Sequence, residues 1–195
     1  MHPSQKIGLF FGSFNPIHMG HLIIANLMAE TTDLKKVWFV VSPQNPFKHS
    51  KGLLHEFDRY DMVRAAIYDN SKLEVSDVEF RLPKPSYTIH TLVQLQEKHP
   101  EKEFKLIVGE DNLVHFMKWK NYHQILEQYG LYVYPRPNAQ PSELKMHPNV
   151  TIVDAPTIDI SATFIRNCIR KKQSVRYLVP DAVEAIIRSK GFYQD

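Results

Sequence analysis

The chain has 195 residues, 43% of them hydrophobic and 23% charged, the balance of a globular domain with its own core and not of a disordered or fibrous chain. Its formal net charge of +3 suits a protein that handles polyphosphates but falls short of the basic excess of a dedicated nucleic-acid binder. A lone cysteine, Cys168, excludes an intrachain disulfide and a cysteine-built zinc site. No apolar run reaches the roughly 18 residues of a spanning helix. The expectation is therefore a cytoplasmic protein with no membrane contact and no signal peptide.

The first predicted strand runs from Lys6 to Phe11. It leads into Gly12-Ser13-Phe14-Asn15-Pro16-Ile17-His18-Met19-Gly20-His21, and a helix is predicted from Gly20 to Glu30. A strand, a tight glycine loop and a helix start together make a phosphate site, because the first backbone N–H groups of a helix are unpaired and carry partial positive charge. His18 and His21 share one face of that first turn and point two nitrogen donors at the same anion. Further strands are predicted over Val37 to Ser42, Leu73 to Ser76, Phe104 to Val108, Leu131 to Pro135 and Val150 to Val153, with helices at Glu56 to Asp69 and Tyr87 to Lys98. This alternation implies an α/β fold: one domain over 1–195 with a Rossmann-like, doubly wound parallel sheet, helices on both faces and a C-terminal helical segment.

Such sheets bind ligands beyond the carboxyl ends of their strands. Gly12, the stretch Ser42 to Lys48, and Gly109 to Asp111 follow strands one, two and four, so they should converge on one crevice. The stretch Pro135 to Pro148 reads as a surface excursion. Near the end, Ser161 or Asp159 can cap one helix, while Pro180 opens another that closes before Gly191. In the first of these, Phe164, Ile165, Cys168 and Ile169 are expected on an apolar face and Thr163, Arg166 and Arg170 on the other. Cys168 is read as core packing, and His2, His55, His99, His115, His123 and His147 as structural histidines. No phosphate loop of the Gly-x-x-x-x-Gly-Lys-Ser/Thr type, dinucleotide fingerprint or His-Glu-x-x-His helix is present, so kinase, dehydrogenase and metalloprotease readings lack support.

The run Gly12 to His21 resembles the first signature of the nucleotidyltransferase superfamily, and Ile160-Ser161-Ala162-Thr163-Phe164-Ile165-Arg166 resembles the second. Three more segments are similar to the bacterial nicotinate-nucleotide adenylyltransferases: Pro43 to Lys48, Pro85 to Leu92, and Gly109 to Asn112 with Trp119-Lys120. The resemblance implies transfer of an adenylyl group from ATP to nicotinate mononucleotide, with release of pyrophosphate. No protein nucleophile is needed for that reaction, since the attacking phosphate is already an anion. The obstacle is to join two polyanions and to carry the charge that grows on pyrophosphate.

His18, His21, Lys48 and Arg166 are the implied catalytic donors. ATP is assigned to Gly12, Ser13, Phe14, His18, His21, Gly109, Asp111, Ser161, Thr163 and Arg166, and nicotinate mononucleotide to Asn15, Lys48, Ser86, Tyr87, Thr88, Trp119 and Lys120. Mg2+ is expected to travel with ATP and not in a protein cage. Partners beyond the two nucleotides are limited to a further copy of the chain, with no nucleic acid. Phe47 and His90 depart from the family pattern, which usually has histidine and aspartate there. The alternatives are an adenylyltransferase for nicotinamide mononucleotide or phosphopantetheine, a nucleotide-binding module without turnover, and an RNA-binding protein, whose length and basic stripe are missing.

Overall fold

The computed structural model describes residues 5–43 and 52–194. Six strands, β1 (Gln5–Gly12), β2 (Lys36–Val41), β3 (Leu73–Ser76), β4 (Lys102–Gly109), β5 (Leu131–Tyr134) and β6 (Val150–Ile152), form one sheet in the order β3-β2-β1-β4-β5-β6. All five pairings are parallel. Parallel neighbours require long crossovers, and these carry α1 (Met19–Thr31), α2 (Glu56–Ala66), α3 (Thr88–Lys98), α4 (Glu110–Leu113) and α5 (Tyr122–Gln128). After β6 come α6 (Ala162–Arg170) and α7 (Asp181–Lys190).

Alternate residues of the strands feed two cores, as a side-chain period of two demands. Phe10, Phe39 and Ile107 face Ile24 and Met28 of α1, Met62 and Val63 of α2, Ile165 of α6 and Val183 of α7. Leu9, Val40 and Leu106 face the other way, against Leu92 and Leu95 of α3 and Ile125 and Leu126 of α5. Complete burial of such a side chain is worth roughly 1.5 to 3 kcal/mol, so the doubly covered sheet is a rigid base for the loops at its edge.

Several boundaries differ from the sequence expectations for local reasons. The predicted helix over Glu56 to Asp69 stops at Ala66, because the Asn70 backbone N–H turns back to the Ile67 carbonyl and the Asn70 side chain donates to Asn26. β5 ends before Pro135, which has no N–H to give a ladder. The helix predicted from Tyr87 begins at Thr88, with Tyr87 at its N-cap. Phe164 is 55% exposed, whereas Ile165 and Cys168 are buried. Ile165 lies about 100° further round the helix, so once it faces the sheet its predecessor turns outward.

Candidate active site

The sheet order steps from β1 to β4 where the direction of winding reverses, and beyond their carboxyl ends lies a crevice of about 740 Å³. It is lined by every site residue expected from the sequence that falls within the described residues. Lys48 and the departure at Phe47 lie outside the described residues.

The turn after β1 builds the first wall. Gly12 is needed there: a Cβ on it would stand 2.7 Å from the Phe14 ring. Phe14 takes a left-handed φ of 45° and is only 2% exposed. Its side chain therefore enters the core instead of reaching for a nucleotide, and it meets the His21 ring edge-on at 5.1 Å. His18 caps α1 in extended conformation, and its backbone N–H donates to His21 Nδ1 at 3.3 Å. Since that nitrogen accepts, the neutral ring carries its hydrogen on Nε2. The two imidazoles stack with centroids 3.6 Å apart. Burial, helped by the Arg136 charge, lowers the His18 pKa to about 4. Burial, then His18 and Arg136, hold His21 well below its ordinary value. Both rings are thus neutral donors at pH 7, and a polyanion would find N–H groups already in place.

Opposite stands the start of α6. Ser161 is the cap, its Oγ accepting the Phe164 backbone N–H at 3.2 Å, and its hydroxyl hydrogen remains free to donate. Asp159, the other capping candidate, does not fill that place. One turn on, Arg166 donates from Nη2 to Thr163 Oγ1 at 3.2 Å and from Nη1 to the Asn15 backbone carbonyl at 2.7 Å.

Arg136 was not anticipated as a site residue. It opens the segment read as a surface excursion, yet it is half-buried on the crevice wall, donating to the Ile158 carbonyl at 3.1 Å with Nε 3.8 Å from Asp111 Oδ1. Gly109 makes room for that pair, because a Cβ there would lie 2.5 Å from Asp111 Oδ1.

The far end belongs to the loop before α3. No side chain caps this helix. Its first backbone bonds are donated by His90 and Thr91 to the Tyr87 carbonyl, so the amides of Thr88 and Ile89 stand ahead of the ladder, where a helix favours an anion. Trp119 flanks them, half-buried and 5.1 Å from the Phe116 ring. Lys120 sits 4.7 Å over the Tyr87 ring with Nζ 3.3 Å from His90 Nε2. His90 therefore accepts from a lysine at a place where aspartate would form an ion pair.

Two expected contacts are committed elsewhere. The Ser86 hydroxyl donates to the buried Glu79 carboxylate at 2.9 Å, as Thr91 does at 2.8 Å, and burial still pushes the Glu79 pKa up. The Asn15 amide is 4% exposed and turned to protein: Nδ2 donates to the Gly52 carbonyl, and Oδ1 accepts from Leu54 N–H and the Tyr193 hydroxyl. Arg59 was also missed. It has no exposure, and its guanidinium donates to the carbonyls of Ser13, Ser42, Pro43 and Leu54, holding the first two βα loops together.

The cytidylyltransferase-like family matches residues 9–168. A Cytophaga hutchinsonii protein called "Probable nicotinate-nucleotide adenylyltransferase" is 60% identical, covering 98% of this chain and all of its own length. A Flavobacterium johnsoniae protein of the same description is 51% identical over 97% of this chain and all of its own. The fold is also that of Plasmodium falciparum nicotinic acid mononucleotide adenylyltransferase, solved in complex with NaAD, at a TM-score of 0.81, 18% identity and 97% coverage of both chains. Sequence and architecture agree, and the chain belongs to the nicotinate-nucleotide adenylyltransferases of the cytidylyltransferase-like family.

Proposed function

We propose that the crevice transfers the adenylyl group of ATP to the phosphate of nicotinate mononucleotide, giving nicotinate adenine dinucleotide and pyrophosphate. The observation that carries this reading is the stacked pair of neutral imidazoles at the start of α1, facing a crevice that Arg136 and Arg166 also line. In this reading the phosphates of ATP lie between the His pair and the start of α6. His21 Nε2 donates to the α-phosphate as charge grows in the transition state, and His18 supplies a second donor. Ser161, Thr163, Arg166 and Arg136 take the departing pyrophosphate, a task for fixed donors and not for a nucleophile. Gly109 and Asp111 border the adenosine end.

Nicotinate mononucleotide fills the other half. The Thr88 and Ile89 amides, with the Thr88 hydroxyl, suit its carboxylate, and Trp119 offers a flat π face to its electron-poor ring. Lys120 adds positive charge nearby. Ser86 and Asn15 act at one remove, through Glu79 and through the 52–54 stretch. Among the described residues no group of three His, Cys, Asp or Glu side chains is placed to hold a metal ion. Mg2+ is accordingly assigned to the phosphate oxygens and water, where it would neutralise charge on the leaving group.

The test is direct: purified protein with ATP, Mg2+ and either nicotinate or nicotinamide mononucleotide, followed by release of pyrophosphate and dinucleotide. Turnover with the acid supports the assignment. Pyrophosphate release without a dinucleotide, or none with either substrate, removes it.

A further inference from the structure

Beyond the residues that face the crevice, a tyrosine close to the far end of the sequence reaches the signature loop. α7 ends at Gly191 in a left-handed turn of φ 64°, sealed by the Phe192 N–H on the Ile187 carbonyl at 3.0 Å. Tyr193 is also left-handed, at φ 64°, a conformation that disfavours side chains with a Cβ. This reversal brings its hydroxyl 2.8 Å from Asn15 Oδ1, 178 positions away in the chain.

That bond completes the Asn15 side chain. Oδ1 has two acceptor sites, one taken by Leu54 N–H and the other by Tyr193. With Nδ2 on the Gly52 carbonyl, the amide has one satisfied orientation: turning it over would set an N–H2 group against the Leu54 N–H and an oxygen against the Gly52 carbonyl, and Tyr193 fills the acceptor site that Leu54 leaves. The same residue's backbone carbonyl accepts Arg166 Nη1 at 2.7 Å. The chain of contacts runs from Tyr193 through Asn15 to Arg166.

We infer that Tyr193 is a positioning residue for adenylyl transfer, which by locking the Asn15 amide fixes the carbonyl that aims Arg166 at the phosphates of ATP. It touches neither nucleotide. The inference rests on the assignment of Arg166 to ATP, and the experiment separates the two.

Tyr193→Phe keeps the packed ring and removes the hydroxyl. ATP affinity is measured by titration calorimetry without mononucleotide, and kcat and KM are measured for each substrate, in wild-type and Arg166→Lys backgrounds. Tyr193→Phe is expected to weaken ATP binding roughly threefold to tenfold, the worth of one hydrogen bond. The mononucleotide KM should change less than ATP affinity does, because the Asn15 bonds to Gly52 and Leu54 remain, and the melting temperature should stay within a few degrees. In the Arg166→Lys background the same change should add less than about twofold, since residues acting through one another are not additive. Unchanged ATP affinity, equal losses in both backgrounds, or a general loss with both substrates and a lowered melting temperature would each overturn the inference. If Arg166→Lys alone leaves ATP binding intact, the assignment of Arg166 falls first and takes this inference with it.

Discussion

Arg136 Nε stands 3.8 Å from Asp111 Oδ1, so one wall of the crevice carries a cation whose carboxylate neighbour is too far for a close hydrogen bond. That guanidinium keeps capacity for another anion while its charge helps hold both histidines neutral. Arg136→Gln should raise the KM for ATP about tenfold or more, since a charge-assisted hydrogen bond is worth about 1.5 to 3 kcal/mol. The His18 pKa, followed by NMR, should climb from about 4. A variant whose ATP kinetics match wild type would leave Arg136 a structural residue.

His21→Ala should lower kcat on the order of 100-fold to 1,000-fold, the usual cost of one preorganised donor to developing charge. Steady-state kinetics at saturating ATP would show it. Turnover above a third of wild type would take His21 out of the transition state.

Acid should destabilise the fold through the same pair. The folded pKa values lie below the ordinary 6.5, near 4 for His18, so between those limits the unfolded chain binds more protons. The stability that neutral His18 contributes is complete above about pH 6.5 and is lost as pH falls towards 4, at most about 1.4 kcal/mol per pH unit. In urea unfolding at pH 7.5 and pH 5, His18→Gln should lose about 2 kcal/mol less than wild type between the two conditions. An identical loss in both proteins would show that His18 titrates normally in the fold.

Preference for the acid over the amide should follow from the uncapped start of α3. The ratio of kcat/KM for nicotinate over nicotinamide mononucleotide is expected to exceed roughly 10 to 100, because donors set for a carboxylate are poorly matched by a carboxamide. Thr88→Val should narrow that ratio, while Trp119→Ala should slow both substrates together. Equal use of the two by wild type, or a ratio untouched in Thr88→Val, would move the specificity elsewhere.

The sheet, its winding and the crevice were legible because they are written in local patterns. Apolar runs alternate with helical periods, and Gly12 to His21 holds loop, helix start and both histidines in one unbroken stretch. What escaped the sequence depends on contacts between distant segments. Arg136 sits between two prolines with no periodicity around it, and Asp111, beside it, belongs to α4, the short helix that follows the preceding strand β4. Arg59 reads as one more charge on a helix, and only the fold shows it sealed among carbonyls. Asn15 and Ser86 were placed in the crevice correctly, but their polar atoms are turned to Gly52, Leu54, Tyr193 and Glu79. A motif supplies a position and leaves side-chain direction to tertiary packing. Phe164 failed for a related reason: in a helix of nine residues the apolar stripe is too narrow to fix which edge residue turns outward.

The buried Arg59 also limits how this scaffold can be re-engineered. Its four hydrogen bonds join Ser13, from the turn after β1, to Ser42, Pro43 and Leu54, which flank the connection between β2 and α2. A buried guanidinium tolerates few losses among its acceptors. A chimera that imports the second connection from a distant relative, to graft a new mononucleotide preference, must bring compatible carbonyl positions with it or exchange the signature turn and α2 in the same step. The two loops and the arginine make one transplantable cassette.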